Sequence, residues 1–103
     1  MAAVNLFVYG TLRPDYIMEP PVPLFGHVPD SVHGKLEFDQ HGNVYLTKSD
    51  DANQLVNGFT CLVAENDLVE LDMYEGSGYR RCHIVTELGF ESYVYMGNES
   101  DEC

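Results

Sequence analysis

Basic residues are scarce in this sequence of 103 residues: five Lys and Arg stand against 17 Asp and Glu, a formal net charge of −12. A surface with this balance repels the phosphates of nucleic acids and the headgroups of anionic membranes. The sequence therefore predicts neither a nucleic-acid partner nor a membrane partner. We expect the excess charge to serve solubility, and a basic protein is the kind of macromolecular partner that it would attract.

Long apolar runs and metal-ligand spacings are also absent. No stretch is long and apolar enough to cross a membrane, and no basic stretch of the kind that begins a signal peptide precedes the short apolar segment 2–9. The three cysteines and four histidines show neither a CxxC pair nor a Cys/His pattern typical of zinc sites. We therefore expect a cytoplasmic protein that holds no metal ion.

What is present suits one small globular domain. Hydrophobic residues make up 45% of the chain, which is ordinary for a folded protein and argues against disorder throughout. The length is enough for one modest core. We expect residues 1–97 to form the domain and residues 98–103 to form an acidic tail.

The hydrophobic pattern is mostly that of strands. Strands are predicted at 4–9, 25–39, 44–47, 55–64, 79–87 and 90–96. The segment 25–39 forms either one strand or two with a bend near Pro29. A hairpin turn is predicted at 40–43, and the proline-rich segment 14–23 is expected to be an irregular connection.

One helix is predicted late in the chain. It begins at Asp67, with Asn66 as its N-cap, and ends near Glu75, where Gly76 provides a C-terminal stop. Several strands joined by hairpins, with one helix inserted among them, indicate an α+β fold. We expect a small antiparallel or mixed β-barrel with one clear flanking helix.

The turn after the first strand, Tyr9-Gly10-Thr11-Leu12-Arg13, is the first candidate site. A glycine at such a turn can take a positive φ and lets a ligand approach the backbone, and successive N–H groups there form a concave anion site. Thr11 adds a hydroxyl and Arg13 a positive charge. The same turn serves as a plain connection in many folds, and the spaced glycines of nucleotide-binding loops are missing. By itself it therefore favours structure over function.

An acid on the apolar face of the helix is the second candidate. Leu68 and Leu71 define that face, and Glu75, four residues after Leu71, falls on it in the last turn. Burial and the negative end of the helix dipole both raise the pKa of a carboxyl group, and a pKa near neutrality suits a general base. The alternatives are a structural ion pair with Arg80 or Arg81, and a carboxylate that points out of a frayed helix end.

Taken together, the two candidates resemble a known family. The segment 8–13 (VYGTLR), followed by 71–76 (LDMYEG) and 79–81 (YRR), resembles the γ-glutamylcyclotransferase-like family, also called AIG2-like. The intermediate segments 34–36 and 57–59 agree in order with strand motifs of that family. The likeness covers most of the chain and implies a small mixed β-barrel with flanking helices.

The resemblance also implies a reaction. Characterised members of the family release 5-oxoproline from γ-glutamyl compounds, with the backbone of the first turn holding the γ-glutamyl group. It implies that Glu75 is the catalytic acid and base, and that no metal or other cofactor is required. The substrate-binding candidates are Tyr9, Gly10, Thr11, Leu12, Arg13 and Tyr79. Tyr79 lines the pocket, supports Glu75, or is an ordinary aromatic residue of the barrel.

Two other functions stay open at this point. One is a non-catalytic module that binds a small acid in the same pocket, and the other is an acidic module that binds proteins through its charged surface. The cyclotransferase hypothesis requires that Glu75 face a cavity that also includes the backbone of the first turn. A solvent-facing Glu75, or one paired with Arg80 or Arg81, would weaken it sharply.

Overall fold

A computed structural model of the protein describes residues 2–10 and 19–97. The strands in these residues are β1 (Ala3–Val8), β2 (Phe25–His33), β3 (Lys35–Phe38), β4 (Val44–Thr47), β5 (Leu55–Ala64), β6 (Tyr79–Val85) and β7 (Glu91–Gly97). A short 3-10 helix, Glu65–Asp67, leads directly into the helix α1 (Leu68–Glu75). The strands predicted at 44–47 and 55–64 match β4 and β5 residue for residue.

The strands form one mixed sheet in the order β2-β5-β1-β7-β4-β3, and β6 also pairs with β7. β1 is antiparallel to β5 and parallel to β7, and β7 is in turn parallel to β4. The sheet curls into a half-barrel that carries the helix. The predicted α+β fold, a small mixed barrel with one flanking helix, is therefore confirmed.

The core lies on both faces of β1. Successive side chains of a strand point to opposite faces, and the consecutive residues Leu6, Phe7 and Val8 are all buried. Leu6 and Val8 pack in one cluster with Leu68 and Leu71 of α1, while Phe7 belongs to a second cluster on the other face. The helix is thereby held against the sheet beside β1.

The segment 25–39 forms two strands, but the predicted break near Pro29 is wrong. The break lies at Gly34, where φ is +155° and a Cβ atom would lie 2.8 Å from the backbone oxygen of Thr47. Pro29 lies inside β2 instead. It is tolerated there because β2 is an edge strand, which needs only one row of ladder hydrogen bonds.

The end of the helix was predicted correctly, but its start was not. Asn66 is not the N-cap, because it lies inside the 3-10 helix and α1 follows Asp67 without a capping hydrogen bond from that side chain. At the other end, Gly76 has a φ of 78° and donates its N–H to the carbonyl of Asp72. In the described part of the chain, no helix is long and apolar enough to span a membrane.

Candidate functional site

Glu75 closes α1 on the side of the helix that faces the sheet. Leu68 and Leu71 are buried, and Glu75, which follows Leu71 by one turn, is partly buried. Glu75 therefore lies on the same face of the helix as these leucines, as their spacing predicted. The last turn of α1 brings its carboxyl group to the wall of a cavity.

This cavity has a volume of about 280 Å³. Its walls come from the end of β1, the turn between β3 and β4, the end of α1, and strands β6 and β7. It is lined by Phe7, Val8, Tyr9, Gly10, Gly42, Asn43, Val44, Glu75, Tyr79 and Tyr95. The two candidate sites of the sequence thus meet in one space.

Four of the predicted site residues come together here: Tyr9, Gly10, Glu75 and Tyr79. The other three, Thr11, Leu12 and Arg13, lie outside the described residues, so their part in the site stays a prediction.

Gly10 differs from the expectation in one respect. Its φ is not positive, so a left-handed conformation is not the reason for a glycine at this position. A Cβ atom at Gly10 would have its nearest neighbour, Cγ1 of Val44, at 4.0 Å. The missing side chain instead leaves open space along this stretch of the cavity wall, next to the backbone.

The environment of Glu75 favours its neutral form. Burial raises the pKa of its carboxyl group from 4.5 to about 7. Within residues 2–10 and 19–97, Glu75 forms no hydrogen bond and no ion pair, whereas Arg81 pairs with Asp72, its Nη1 lying 3.2 Å from Oδ2. Within these residues, therefore, neither Arg80 nor Arg81 forms the predicted alternative ion pair with Glu75.

Two tyrosine side chains of the cavity wall form hydrogen bonds through their hydroxyl groups to the backbone of neighbouring strands. The Tyr9 hydroxyl donates to the carbonyl of Tyr95 and accepts from the N–H of Leu46 at 2.9 Å. The Tyr79 hydroxyl donates to the carbonyl of Val44 at 2.5 Å. Burial is the main cause that raises the pKa of both tyrosines, and the nearby Glu75 adds to it. Both side chains therefore stay neutral and hold the cavity in shape.

Sequence reasoning missed Tyr95 and the turn residues Gly42 and Asn43. Tyr95 is only 5% exposed, and its hydroxyl donates to Oδ1 of Asp72 at 2.7 Å. Tyr95 lies among four consecutive buried residues at the end of β7, so a pattern of alternating burial does not single it out. Its presence in this cavity depends on the pairing of β7 with β1, which no local pattern reveals.

The site can therefore exchange a proton close to neutral pH. Glu75 is a partly buried acid with a pKa of about 7, and it shares the cavity with Tyr9 and Gly10, which follow the central strand β1. A group with such a pKa can both accept and donate a proton during a reaction. Among the described residues, no group of three or more His, Cys, Asp or Glu side chains is arranged to hold a metal ion.

Several solved structures share this fold. An AIG2-like protein from Mus musculus superposes with a TM-score of 0.76 at 20% identity, over 98% of this chain and 82% of that one. An uncharacterised protein from Pyrococcus horikoshii gives a TM-score of 0.68 at 20% identity, over 94% and 80% of the two chains. YkqA from Bacillus subtilis gives 0.73 at 21% identity, and this chain, matched over 96% of its length, spans 37% of YkqA. At these identities the likeness concerns the fold alone.

No curated protein sequence matches the chain. The model of the family described as gamma-glutamyl cyclotransferase, AIG2-like, matches residues 6–103. The match begins in β1, continues through α1 and covers the cavity described above. Since it spans nearly the whole chain, the protein belongs to the γ-glutamyl cyclotransferase, AIG2-like family, as its motifs predicted.

Proposed function

We propose that this protein is a cyclotransferase that releases 5-oxoproline from a γ-glutamyl amine or a γ-glutamyl amino acid. Membership of the family supports the class of reaction. The observation that carries the proposal is the position of Glu75, an unpaired acid among the described residues, with a pKa of about 7, in the cavity formed with Tyr9 and Gly10.

In the proposed reaction, Glu75 acts first as a base and then as an acid. Its carboxylate takes a proton from the α-ammonium group of the substrate. The free amine attacks the γ-carbonyl carbon, a new C–N bond closes the five-membered ring, and the bond to the leaving amine breaks. Glu75 then passes its proton to the leaving nitrogen and takes up the second proton of the new ring nitrogen, which the released amine accepts in turn, so that 5-oxoproline and a protonated amine are the products. Such proton transfers contribute about 10²- to 10⁴-fold in rate.

The protein must also hold the substrate in a bent conformation, with its α-amine close to its own γ-carbonyl group. Amine and carbonyl belong to the same molecule, so the rate depends on holding them about 3–3.5 Å apart in the correct orientation. A cavity of about 280 Å³ is small enough to restrict a γ-glutamyl group. Tyr9 and Gly10, with Thr11, Leu12 and Arg13 after them, are the proposed binding segment for the substrate carboxylate, and Tyr79 is the proposed wall beside Glu75.

The charge of the molecule supports a small substrate over a large anionic one. With a net charge of −12, the protein repels nucleic acids and anionic membranes at long range. We propose that it acts in the cytoplasm on a small γ-glutamyl compound, with residues 1–97 as its single domain and 98–103 as an acidic tail. A basic protein partner would be recruited by the same charge.

The test is a panel of γ-glutamyl amino acids and γ-glutamyl amines, with 5-oxoproline measured by mass spectrometry. We expect at least one compound to be turned over and Glu75→Gln to abolish the product while the protein remains folded by thermal unfolding. The matched control is Glu70→Gln, which removes an acid from the exposed side of the same helix and should leave turnover unchanged.

Two results would contradict the proposal. Full activity in Glu75→Gln would remove that residue from the mechanism. Thermal stabilisation by a γ-glutamyl compound, without 5-oxoproline from any member of the panel, would show a binding module instead of an enzyme.

A further inference from the structure

Asp72 lies one helical turn before Glu75 and connects α1 to two strands. Its Oδ1 accepts a hydrogen bond from the Tyr95 hydroxyl at 2.7 Å, and its Oδ2 lies 3.2 Å from Nη1 of Arg81. Arg81 and Tyr95 are directly opposite each other in the β6–β7 ladder. Their side chains therefore share one face of the sheet, where a single carboxylate reaches both.

Tyr95 extends this connection across the cavity. Its hydroxyl binds Asp72 on the helix, and its backbone carbonyl accepts the hydrogen bond from Tyr9 at the end of β1. It is almost fully buried. One residue therefore sets the separation between the helix that carries Glu75 and the turn that carries Tyr9.

Arg81 is the cation that forms an ion pair with Asp72. Its guanidinium carbon lies 5.2 Å from the ring centre of Tyr93, and its charge lies within ion-pair distance of Asp72 but not of Glu75. A cation at a distance of about 4–6 Å lowers the pKa of a carboxyl group by about 1–3 units. An arginine paired with Glu75 would therefore remove the near-neutral pKa that a base in this cavity needs.

We propose that Asp72 is a positioning residue for Glu75. Through Tyr95 it fixes the end of the helix against the cavity, and through Arg81 it keeps a cation from pairing with the Glu75 carboxylate. The catalytic consequence rests on the proposed cyclotransferase function, but the electrostatic one can be measured without any substrate.

The other titratable groups around Glu75 come from three elements. Tyr9 follows β1, Tyr79 lies on β6 and Tyr95 on β7, and each interacts electrostatically with Glu75. Asp39, before the β3–β4 turn, acts on Tyr79. The pKa values of the three tyrosines are raised, chiefly by burial, so these groups remain neutral while Glu75 titrates. Asp72 and Arg81 both act electrostatically on Tyr95, which also interacts with Glu75. We therefore expect a change in this charged pair to change the pKa of Glu75.

The test is a carboxyl ¹³C NMR titration of Glu75 in the ligand-free protein. Asp72→Asn removes the carboxylate that pairs with Arg81 and should lower the pKa of Glu75 by about one unit or more. Arg81→Gln leaves Asp72 as an unbalanced anion and should raise it. The double variant Asp72→Asn/Arg81→Gln should return the pKa to within about 0.5 unit of the wild-type value, which loss of structure alone would not do. Glu70→Gln, on the exposed side of the helix, should shift it by no more than about 0.3 unit.

Measurements of turnover distinguish the role of the Asp72–Arg81 ion pair from that of the Asp72–Tyr95 hydrogen bond. In Asp72→Asn, the acidic limb of the kcat/KM profile should move to lower pH together with the titration. Tyr95→Phe keeps the aromatic wall and the Asp72–Arg81 pair but loses the hydroxyl. It should lower kcat about tenfold with KM within about twofold and with the pKa of Glu75 unchanged.

An unchanged pKa of Glu75 in both Asp72→Asn and Arg81→Gln overturns the inference, even if the protein releases 5-oxoproline. If Asp72→Asn does not fold, the direction of the shift in Arg81→Gln decides. Lack of turnover on every substrate contradicts the proposed function instead, and the titration still reports whether Asp72 and Arg81 control Glu75.

Discussion

The hydroxyl of Tyr9 donates a hydrogen bond to the backbone carbonyl of Tyr95, 86 residues further along the chain. It also accepts one from the backbone N–H of Leu46. A single side chain thus joins the end of β1 to β7 and to β4, the three parallel neighbours at the centre of the sheet. The shape of the cavity that contains Glu75 depends on these two hydrogen bonds.

Tyr9→Phe should destabilise the protein without changing the shape of the side chain. The substitution leaves the N–H of Leu46 and the carbonyl of Tyr95 without this partner in a region that water reaches poorly. We expect a loss of about 1–3 kcal/mol in the free energy of unfolding, measured by urea denaturation. Tyr93→Phe is the control, because the Tyr93 hydroxyl forms no hydrogen bond within residues 2–10 and 19–97. It should cost no more than about 0.5 kcal/mol, and equal losses in both variants would contradict the role of Tyr9.

The raised pKa of Glu75 predicts that stability falls as the pH rises from about 4.5 to about 7. Over this range the folded protein keeps the proton that the unfolded chain releases. The stability is therefore greatest below the unfolded pKa and is lost as the pH passes through the folded pKa. We expect a decrease of about 1–3 kcal/mol from this group.

Urea denaturation of the wild type and of Glu75→Gln at pH 5 and pH 8 checks this decrease. Glu75→Gln should lack the contribution and should be the more stable protein at pH 8. Glu70→Gln should retain the wild-type pH dependence. A profile for Glu75→Gln that parallels the wild type would show that the acid is not held in its neutral form.

Asp30 should have the opposite dependence on pH. Burial opposes its ionisation, but hydrogen bonds from Thr86, Thr60 and the N–H groups of Ser31 and Leu88 outweigh it and hold its pKa below 3.8. The stability from this group is therefore present above the unfolded pKa and lost as the pH falls through the folded one. Asp30→Asn should cost about 1–3 kcal/mol at pH 7 and less at pH 3.

The matched control for Asp30 is the exposed Asp50, whose change to Asn should alter the free energy of unfolding by no more than about 0.5 kcal/mol. Both variants remove one negative charge, so an effect of net charge would appear equally in the two. Equal stability curves for Asp30→Asn and Asp50→Asn would refute the role of the hydrogen bonds.

Gly58→Ala should disturb the end of β1. A Cβ atom there would lie 2.3 Å from the carbonyl oxygen of Val8 and 2.8 Å from the ring of Phe7. Because the nearest atom belongs to the backbone, it cannot move aside by rotation, and we expect a loss of about 2–3 kcal/mol. Gly78→Ala is the control, since nothing lies within 4 Å of its added methyl group. Thermal unfolding of the two variants should differ clearly, and similar transitions would contradict the close approach.

The features that could be predicted from the sequence depend on contacts a few residues apart. The spacing of Leu68 and Leu71 was enough to place Glu75 on the inner side of the helix, and Gly76 marked the helix end. The polar turn at 40–43 likewise marked where β4 begins. In each of these cases the determining interaction lies within one turn of helix or one hairpin.

The features that were missed depend on distant parts of the chain. Gly34 interrupts the strands because the Thr47 carbonyl passes close to it, and nothing near Gly34 in the sequence reveals that approach. Pro29 looked like the break, but an edge strand tolerates it. Tyr95 reaches the cavity only because β7 pairs in parallel with β1. The sequence motifs therefore located the acid and the turn, while the residues that hold them at a fixed distance came from the topology.

The parallel pairing of β1 with β7 determines when the cavity can form during synthesis of the chain. The first turn and the helix with Glu75 leave the ribosome before β7 does, and contacts between distant segments form late because they close long loops. Strand β7 joins β1 to β4 and encloses the cavity in the same step. A translation product that stopped before β7 would carry the acid but would have no enclosed space in which to bind a substrate.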